Sequence, residues 1–279
     1  MPDIACVNGR FGPLADAVVS VEDRGFQFGD GVYEVIRTYR GRPFAVDEHL
    51  ARLERSAQAL QLSLGPSKAQ WGALIEEGLR LSDLPETKIY LQITRGQAPR
   101  DHPFPVPLLP TTVLTFRELH PLDVSVRQTG VQAILLEDIR WGRCDIKSVN
   151  LLPNVLARQR AKEAGVFEAI LLRDGVVTEG SVSNVMVVRN GTIQTAPEGP
   201  RILSGVTRAK VLELAKKEGI PVAETMVRRE DLLGASEVFL TGTTVEVLPV
   251  VRVDGQAIGS AVPGPIAQLL SRRWEALVG

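Results

Sequence analysis

Arg117-Glu118-Leu119-His120-Pro121-Leu122 divides this chain. The stretch is charged at one end, carries a proline at the other and lies between two apolar strand-like runs, so it reads as a connector. With the linker placed at 119–122, residues 1–118 make a smaller N-terminal α/β domain and 123–279 a larger C-terminal α/β domain. A chain of 279 residues can bury a substantial core and suits two domains rather than one.

Upstream of the connector, 112–116 and 88–94 read as strands around a loop holding Pro99, Pro103, Pro105, Pro107 and Pro110. Leu50, Leu53, Ala57 and Leu60 share one face of a helix over 47–62 that Asp47 can cap. A second helix covers 69–81. Val32 to Tyr39 is a strand, and 4–7 and 18–21 are short ones. Downstream, 131–137 is a strand, and a helix opens near Asn150 and ends at Gly165. Asp174-Gly175 and Asn190-Gly191 mark hairpin turns. Ser204 caps a helix running to Gly219. Strands at 237–240 and 245–253 and the Asp254-Gly255 turn precede a C-terminal amphipathic helix with Ile266, Leu269, Leu270, Trp274 and Leu277. Hairpins mixed with helices argue against a purely parallel doubly wound sheet. The fold class is therefore α/β, as two mixed α/β domains with the functional cleft expected between them.

The formal net charge is −1, with both signs spread along the chain, which gives no electrostatic footprint for nucleic acid or an anionic membrane. Met1-Pro2-Asp3-Ile4-Ala5 lacks the pattern of a signal peptide, and no apolar run reaches membrane-spanning length. Cys6 and Cys144 are too few for a disulfide framework, so a cytoplasmic setting is expected. His49, His102 and His120 lack zinc-site spacing, and no metal is expected.

Five places could carry chemistry. Lys147, in Asp145-Ile146-Lys147-Ser148, follows an apolar run, whereas Lys162, Lys210, Lys216 and Lys217 fall in charged helical segments. A desolvated lysine beside cations is a candidate nucleophile; a buried ion pair with Asp145 is the alternative. Leu203-Ser204-Gly205-Val206-Thr207-Arg208 enters a helix through a glycine, as a phosphate site or a simple Ser-capped helix does. Thr241-Gly242-Thr243-Thr244 is a second hydroxyl-rich turn. Thr178-Glu179-Gly180-Ser181 sets a carboxylate at a strand end, suited to a pyridine nitrogen or merely to a solvated turn. Arg100-Asp101-His102 offers carboxylate-binding donors, or is an exposed loop. Alternation along Gly29-Asp30-Gly31-Val32-Tyr33-Glu34-Val35 puts Tyr33 and Val35 on one sheet face.

The ordered set resembles a known family. The segments are 22–35, Thr94-Arg95-Gly96 with Pro99-Arg100-Asp101-His102, 137–141 leading into Cys144-Asp145-Ile146-Lys147-Ser148, Thr178-Glu179-Gly180-Ser181, and Gly205-Val206-Thr207-Arg208. Together they are similar to fold type IV enzymes that use pyridoxal 5′-phosphate, and within that group to D-amino acid aminotransferases. The resemblance implies a cofactor in the interdomain cleft, carried by Lys147 as an aldimine. Glu179 would pair with the pyridine nitrogen. Arg52, Val206, Thr207 and Thr243 would hold the phosphate, and Leu203 would pack on the ring. Tyr33, Arg100 and His102 would trap the substrate α-carboxylate, the last two reaching in from the neighbouring subunit of a homodimer. Val35 and Thr244 would contact substrate.

The implied reaction is ping-pong transamination between a D-amino acid and a 2-oxo acid, of the D-alanine/2-oxoglutarate type. The alternatives of the same fold are a branched-chain or (R)-amine transaminase and an aminodeoxychorismate-lyase-like enzyme. Val182 and Gly242 stand where the D-amino acid enzymes carry serine. The glycine is expected to widen the side-chain pocket.

Overall fold

The computed structural model describes residues 3–107 and 109–279. The chain forms two compact units, one comprising residues up to His120 together with Ile146–Asn150, the other Pro121–Asp145 with Leu151–Gly279.

The first unit is built on an antiparallel sheet. Its strands run in the order Arg10–Pro13, Ile4–Val7, Thr111–Glu118, Thr87–Thr94, Gly31–Tyr39 and Arg42–Pro43. Val32 and Ile36 are fully buried on one face of Gly31–Tyr39, while Tyr33 and Val35 on the other are half-buried, as period-2 alternation requires. The helices Val46–Ala59 and Lys68–Ser82 bury Leu50, Leu53, Ala57, Trp71 and Ile75 against Ile89, Leu91, Ile93, Leu114 and Phe116. Each large apolar side chain so buried contributes roughly 1.5–3 kcal/mol.

The second unit carries a mixed sheet in the order Val222–Glu224, Thr192–Thr195, Asn184–Arg189, Glu237–Gly242, Glu246–Val253, Val131–Glu137, Glu168–Arg173 and Val176–Gly180. The short strand Gln256–Ala257 pairs with Glu246–Val253. Val131–Glu137 pairs in parallel with both its neighbours, which the crossover helix Leu152–Glu163 permits, whereas the hairpins are antiparallel. The residues of both Asp174-Gly175 and Asn190-Gly191 have positive φ, the geometry of primed hairpin turns. Helices Val206–Lys217 and Pro265–Val278 complete the unit. Among the described residues no helix is long and apolar enough to cross a membrane.

Several expectations are corrected. The span 123–279 does not keep the lysine segment. Ile146 is buried in the core of the first unit, Ser148 bridges Val32, and the Tyr33 amide donates to the Lys147 carbonyl at 3.0 Å. Residues 18–21 form no strand. They find no ladder partner, and Val18 and Val21 lie exposed, because Arg10–Pro13 takes the edge beside Ile4–Val7. Arg117 and Glu118 end a strand rather than begin a linker. Asp47 sits inside the first turn of its helix, which starts after Ala45 without a side-chain cap, and Ser204 yields the N-cap position to Gly205.

Candidate active site

Lys147 is pinned through its backbone. Its amide donates to Ser56 Oγ at 3.1 Å, and its carbonyl accepts from Tyr33 at the head of strand Gly31–Tyr39. The side chain is half-buried, with Nζ 4.3 Å from the centroid of the Tyr33 ring. The alternative, an ion pair with Asp145, is not formed, and Asp145 instead accepts two hydrogen bonds at 2.9 Å from Arg143. Among the described residues no carboxylate pairs with Lys147. Tyr33 in turn stacks on Tyr90, with ring centroids 5.6 Å apart, and the Tyr90 hydroxyl donates to Gln92 at 2.6 Å. Burial pushes the Tyr90 hydroxyl well above the ordinary tyrosine range, and Tyr33 adds to the shift. Val35 lies half-buried on the same strand face as Tyr33.

Arg52 is buried on helix Val46–Ala59 and forks onto Glu34, with Nε and Nη2 at 2.7 and 2.8 Å from the two carboxylate oxygens. His49, one turn earlier, meets Glu34 Oε2 at 2.8 Å. Burial alone would raise the Glu34 carboxyl. The Arg52 charge and hydrogen bonds, with those of His49, outweigh burial and hold it well below the usual carboxylate range. A carboxylate on the apolar face of a strand thus aims the guanidinium that the resemblance assigns to a phosphate.

In the second unit Glu179 accepts from Arg140, Asn184 and Leu203. Arg140 Nη1 binds Oε1, while the Asn184 side-chain amide and the Leu203 backbone N–H reach Oε2 at 2.9 and 3.0 Å. Arg140 is itself locked by two 2.9 Å contacts with Asp138. Burial works against ionisation of both partners. The Arg140 contacts nevertheless hold the Asp138 carboxyl below its usual range, and Asp138 with Glu179 keeps the guanidinium charged well above its ordinary range. Asn184 also donates to the Leu203 carbonyl at 2.9 Å, so one amide ties the carboxylate to the segment entering helix Val206–Lys217. Gly205 is required at that crossing, since a Cβ there would lie 2.0 Å from Asn184 Oδ1. Val206 and Thr207, both buried, form the first turn of this helix, whose N-cap Gly205 supplies no side-chain acceptor.

Thr243 and Thr244 are half-buried in the turn after strand Glu237–Gly242. Thr241, just before it, has a buried hydroxyl oxygen with no hydrogen-bond partner in the protein. At Gly242 the Val245 Cγ2 methyl lies 3.2 Å from where a Cβ would stand.

Arg100 and His102 lie exposed in the proline-rich loop of the first unit. Arg100 donates to the Gln27 carbonyl at 3.2 Å and packs over Phe28, whose ring also lies 5.4 Å from the His102 ring. Neither has a hydrogen bond, ion pair or ring contact with Tyr33 or Lys147 within the chain.

The model of the family described as amino-transferase class IV matches residues 31–253, a span that takes in Lys147, Glu179 and the turn at Gly205. The chain belongs to the amino-transferase class IV family. A D-alanine aminotransferase of Bacillus licheniformis is 48% identical to this class IV member over 94% of this chain and 92% of its own length. One of Staphylococcus haemolyticus is 42% identical over 98% and 96%. A solved branched-chain amino acid aminotransferase of Escherichia coli aligns at a TM-score of 0.93 and 27% identity, covering 100% of this chain and 95% of that one.

Three supporting residues of this class IV site escape the sequence reading. Glu34 leaves a trace, as the one charged residue between Val32 and Ile36 on an apolar strand face. Arg140 and Asn184 leave none, because each acts on Glu179 across a different stretch of the chain.

Proposed function

We propose that this class IV aminotransferase transfers the amino group of a D-amino acid to a 2-oxo acid in two half-reactions, using pyridoxal 5′-phosphate held by Lys147. The observation that carries the reading is the Lys147 amine, half-buried over Tyr33 and without a carboxylate partner among the described residues. An unpaired amine in such a setting is available to a carbonyl. The D-amino acid assignment draws on the relatives named D-alanine aminotransferase, 48% and 42% identical over nearly the whole chain, against 27% for the branched-chain structure.

The residues present fit a phosphorylated pyridine aldehyde. Glu179 is a buried carboxylate already held by charged and amide donors, the environment that suits a ring-nitrogen partner. The helix after Gly205 opens without a side-chain cap, and Thr241 offers an unused buried hydroxyl nearby in sequence to Thr243. When bound, the cofactor supplies the electron sink. Lys147 would hold it, and Lys147 Nζ would take and return the proton at the substrate Cα. Glu179 would keep the ring nitrogen protonated. Arg52, Val206, Thr207 and Thr243 would take the phosphate, and Leu203 would pack on the ring.

Tyr33 binds the α-carboxylate together with Arg100 and His102, which are proposed to act on the neighbouring site of a homodimer. Their exposure leaves them available to a second copy. Val35 and Thr244 border the substrate side chain. The two cysteines are both free and buried, in keeping with a cytoplasmic enzyme.

A panel of D-amino acids, L-amino acids and primary amines, run on wild type and Arg100→Ala, tests the assignment. Loss of D-amino acid turnover in the variant is expected. Unchanged turnover would remove Arg100 from the carboxylate site.

A further inference from the structure

The loop bearing Arg100 and His102 is gripped from beneath by a buried arginine outside the proposed site. Arg24 lies in the short helix Arg24–Phe28 and is 4% exposed. Its Nε donates to Asp30 at 2.9 Å. Its two terminal nitrogens donate to three consecutive carbonyls of the loop, those of Asp101, His102 (3.1 Å) and Pro103 (3.3 Å). The same Asp30 oxygen accepts from Arg95 Nε at 2.8 Å. Arg95, 1% exposed, spends its other nitrogens on the Leu60 and Gln61 carbonyls, and its guanidinium lies 3.6 Å from the Phe104 ring centroid. Gly96 lets the loop leave the strand, because a Cβ there would lie 1.8 Å from the Leu109 carbonyl oxygen.

This is more apparatus than an ordinary surface loop carries. A connection of this length between two strands is unusual in a compact domain and tends to be functional. Burying a guanidinium is costly unless every donor is satisfied, and here the satisfaction is provided by one carboxylate and the backbone of 101–103. The contacts end at backbone, so the Arg100 and His102 side chains are left outward. Phe28 in the same helix as Arg24 backs both of them.

We propose that Arg24, locked by Asp30, is a positioning residue for the Arg100–His102 carboxylate anchor, governing affinity for the substrate carboxylate and not the proton transfer at Lys147. The inference rests on the assignment of Arg100 and His102 made above. Lysine at position 24 keeps the charge, but a single ammonium cannot span Asp30 and three carbonyls in a fixed fork.

The test uses the cofactor-loaded enzyme as wild type, Arg24→Lys, Asp30→Asn and Arg100→Ala. The kcat and KM for D-alanine are measured, along with the midpoint of the visible spectral change on titration with D-alanine and with ethylamine, its counterpart without the carboxylate. Arg24→Lys is expected to raise the D-alanine KM and titration midpoint about tenfold or more, with kcat within about threefold and the ethylamine midpoint within about twofold. Asp30→Asn, which preserves shape, should shift the same quantities in the same direction and covers the case in which Arg24→Lys does not fold. Equal shifts for D-alanine and ethylamine would mean a merely structural role and overturn the proposal. If Arg100→Ala raises the D-alanine KM while Arg24→Lys and Asp30→Asn do not, the proposal fails and the anchor stands. If Arg100→Ala also leaves KM unchanged, the anchor itself is wrong and the proposal falls with it.

Discussion

Glu34→Gln removes one negative charge and almost no volume, at a position 0% exposed in the core of the first unit. In the wild type this carboxylate takes two hydrogen bonds from Arg52, at 2.7 and 2.8 Å, and a third contact from His49 at 2.8 Å. Glutamine leaves the Arg52 guanidinium buried without its counter-charge. Breaking one partner of a buried pair costs about 3–5 kcal/mol. At roughly 2–4 °C per kcal/mol for a chain of this size, the melting temperature falls by about 6–20 °C.

The pH dependence follows from the sign of the shift. The folded-state pKa of Glu34 is depressed, because the charge and hydrogen bonds of Arg52 and His49 outweigh burial. Its stabilisation is therefore fully present above the unfolded glutamate value of about 4.3 and is lost as pH falls toward the folded value. The gap between wild type and variant should be full above about pH 5 and close in acid. Scanning calorimetry across that range measures it. The double variant Glu34→Gln/Arg52→Met should regain much of the loss, since two uncharged groups of similar volume replace a pair. A Glu34→Gln melt within about 2 °C of wild type, or single losses that simply add in the double variant, would refute the reasoning.

Lys147→Ala should abolish both the visible band of the cofactor-loaded protein and turnover, whereas Lys162→Ala, exposed on the helix Leu152–Glu163, should change neither in absorbance or coupled assays. Arg140→Met removes a charged donor from both Glu179 and Asp138, the latter keeping Arg173 and Thr178. A hydrogen bond to a charged group contributes about 1.5–3 kcal/mol, so equilibrium dialysis should show cofactor affinity weakened on the order of tenfold or more.

The parts of this molecule written locally were legible in its sequence. The hairpin turns at Asp174-Gly175 and Asn190-Gly191 announce themselves because a short-range φ requirement selects their residues. The alternation in Gly31–Tyr39 reports its buried face directly. The order of motifs around Lys147 and Glu179 was enough to name a family that the class IV match then established. The failures share a cause, which is that long-range partners decide. The valine run at 18–21 has strand propensity and no ladder to join. Lys147 lies beyond the connector in sequence, yet Ile146 and Ser148 bind it to the first unit. Ser204 has the chemistry of a cap, but Asn184 fixes the Leu203–Gly205 backbone so that Gly205 takes the position. Glu34, Arg140 and Asn184 do their work through residues the sequence reading did see, and only the tertiary fold reveals them.

The central claim is amino transfer from a D-amino acid, and one coupled measurement addresses it. The purified, cofactor-loaded enzyme is given D-alanine and 2-oxoglutarate, and pyruvate and glutamate are followed together. The account predicts that both appear in equal amounts, and that L-alanine supports neither. Pyruvate without glutamate, or faster turnover of L-alanine than of D-alanine, would contradict it.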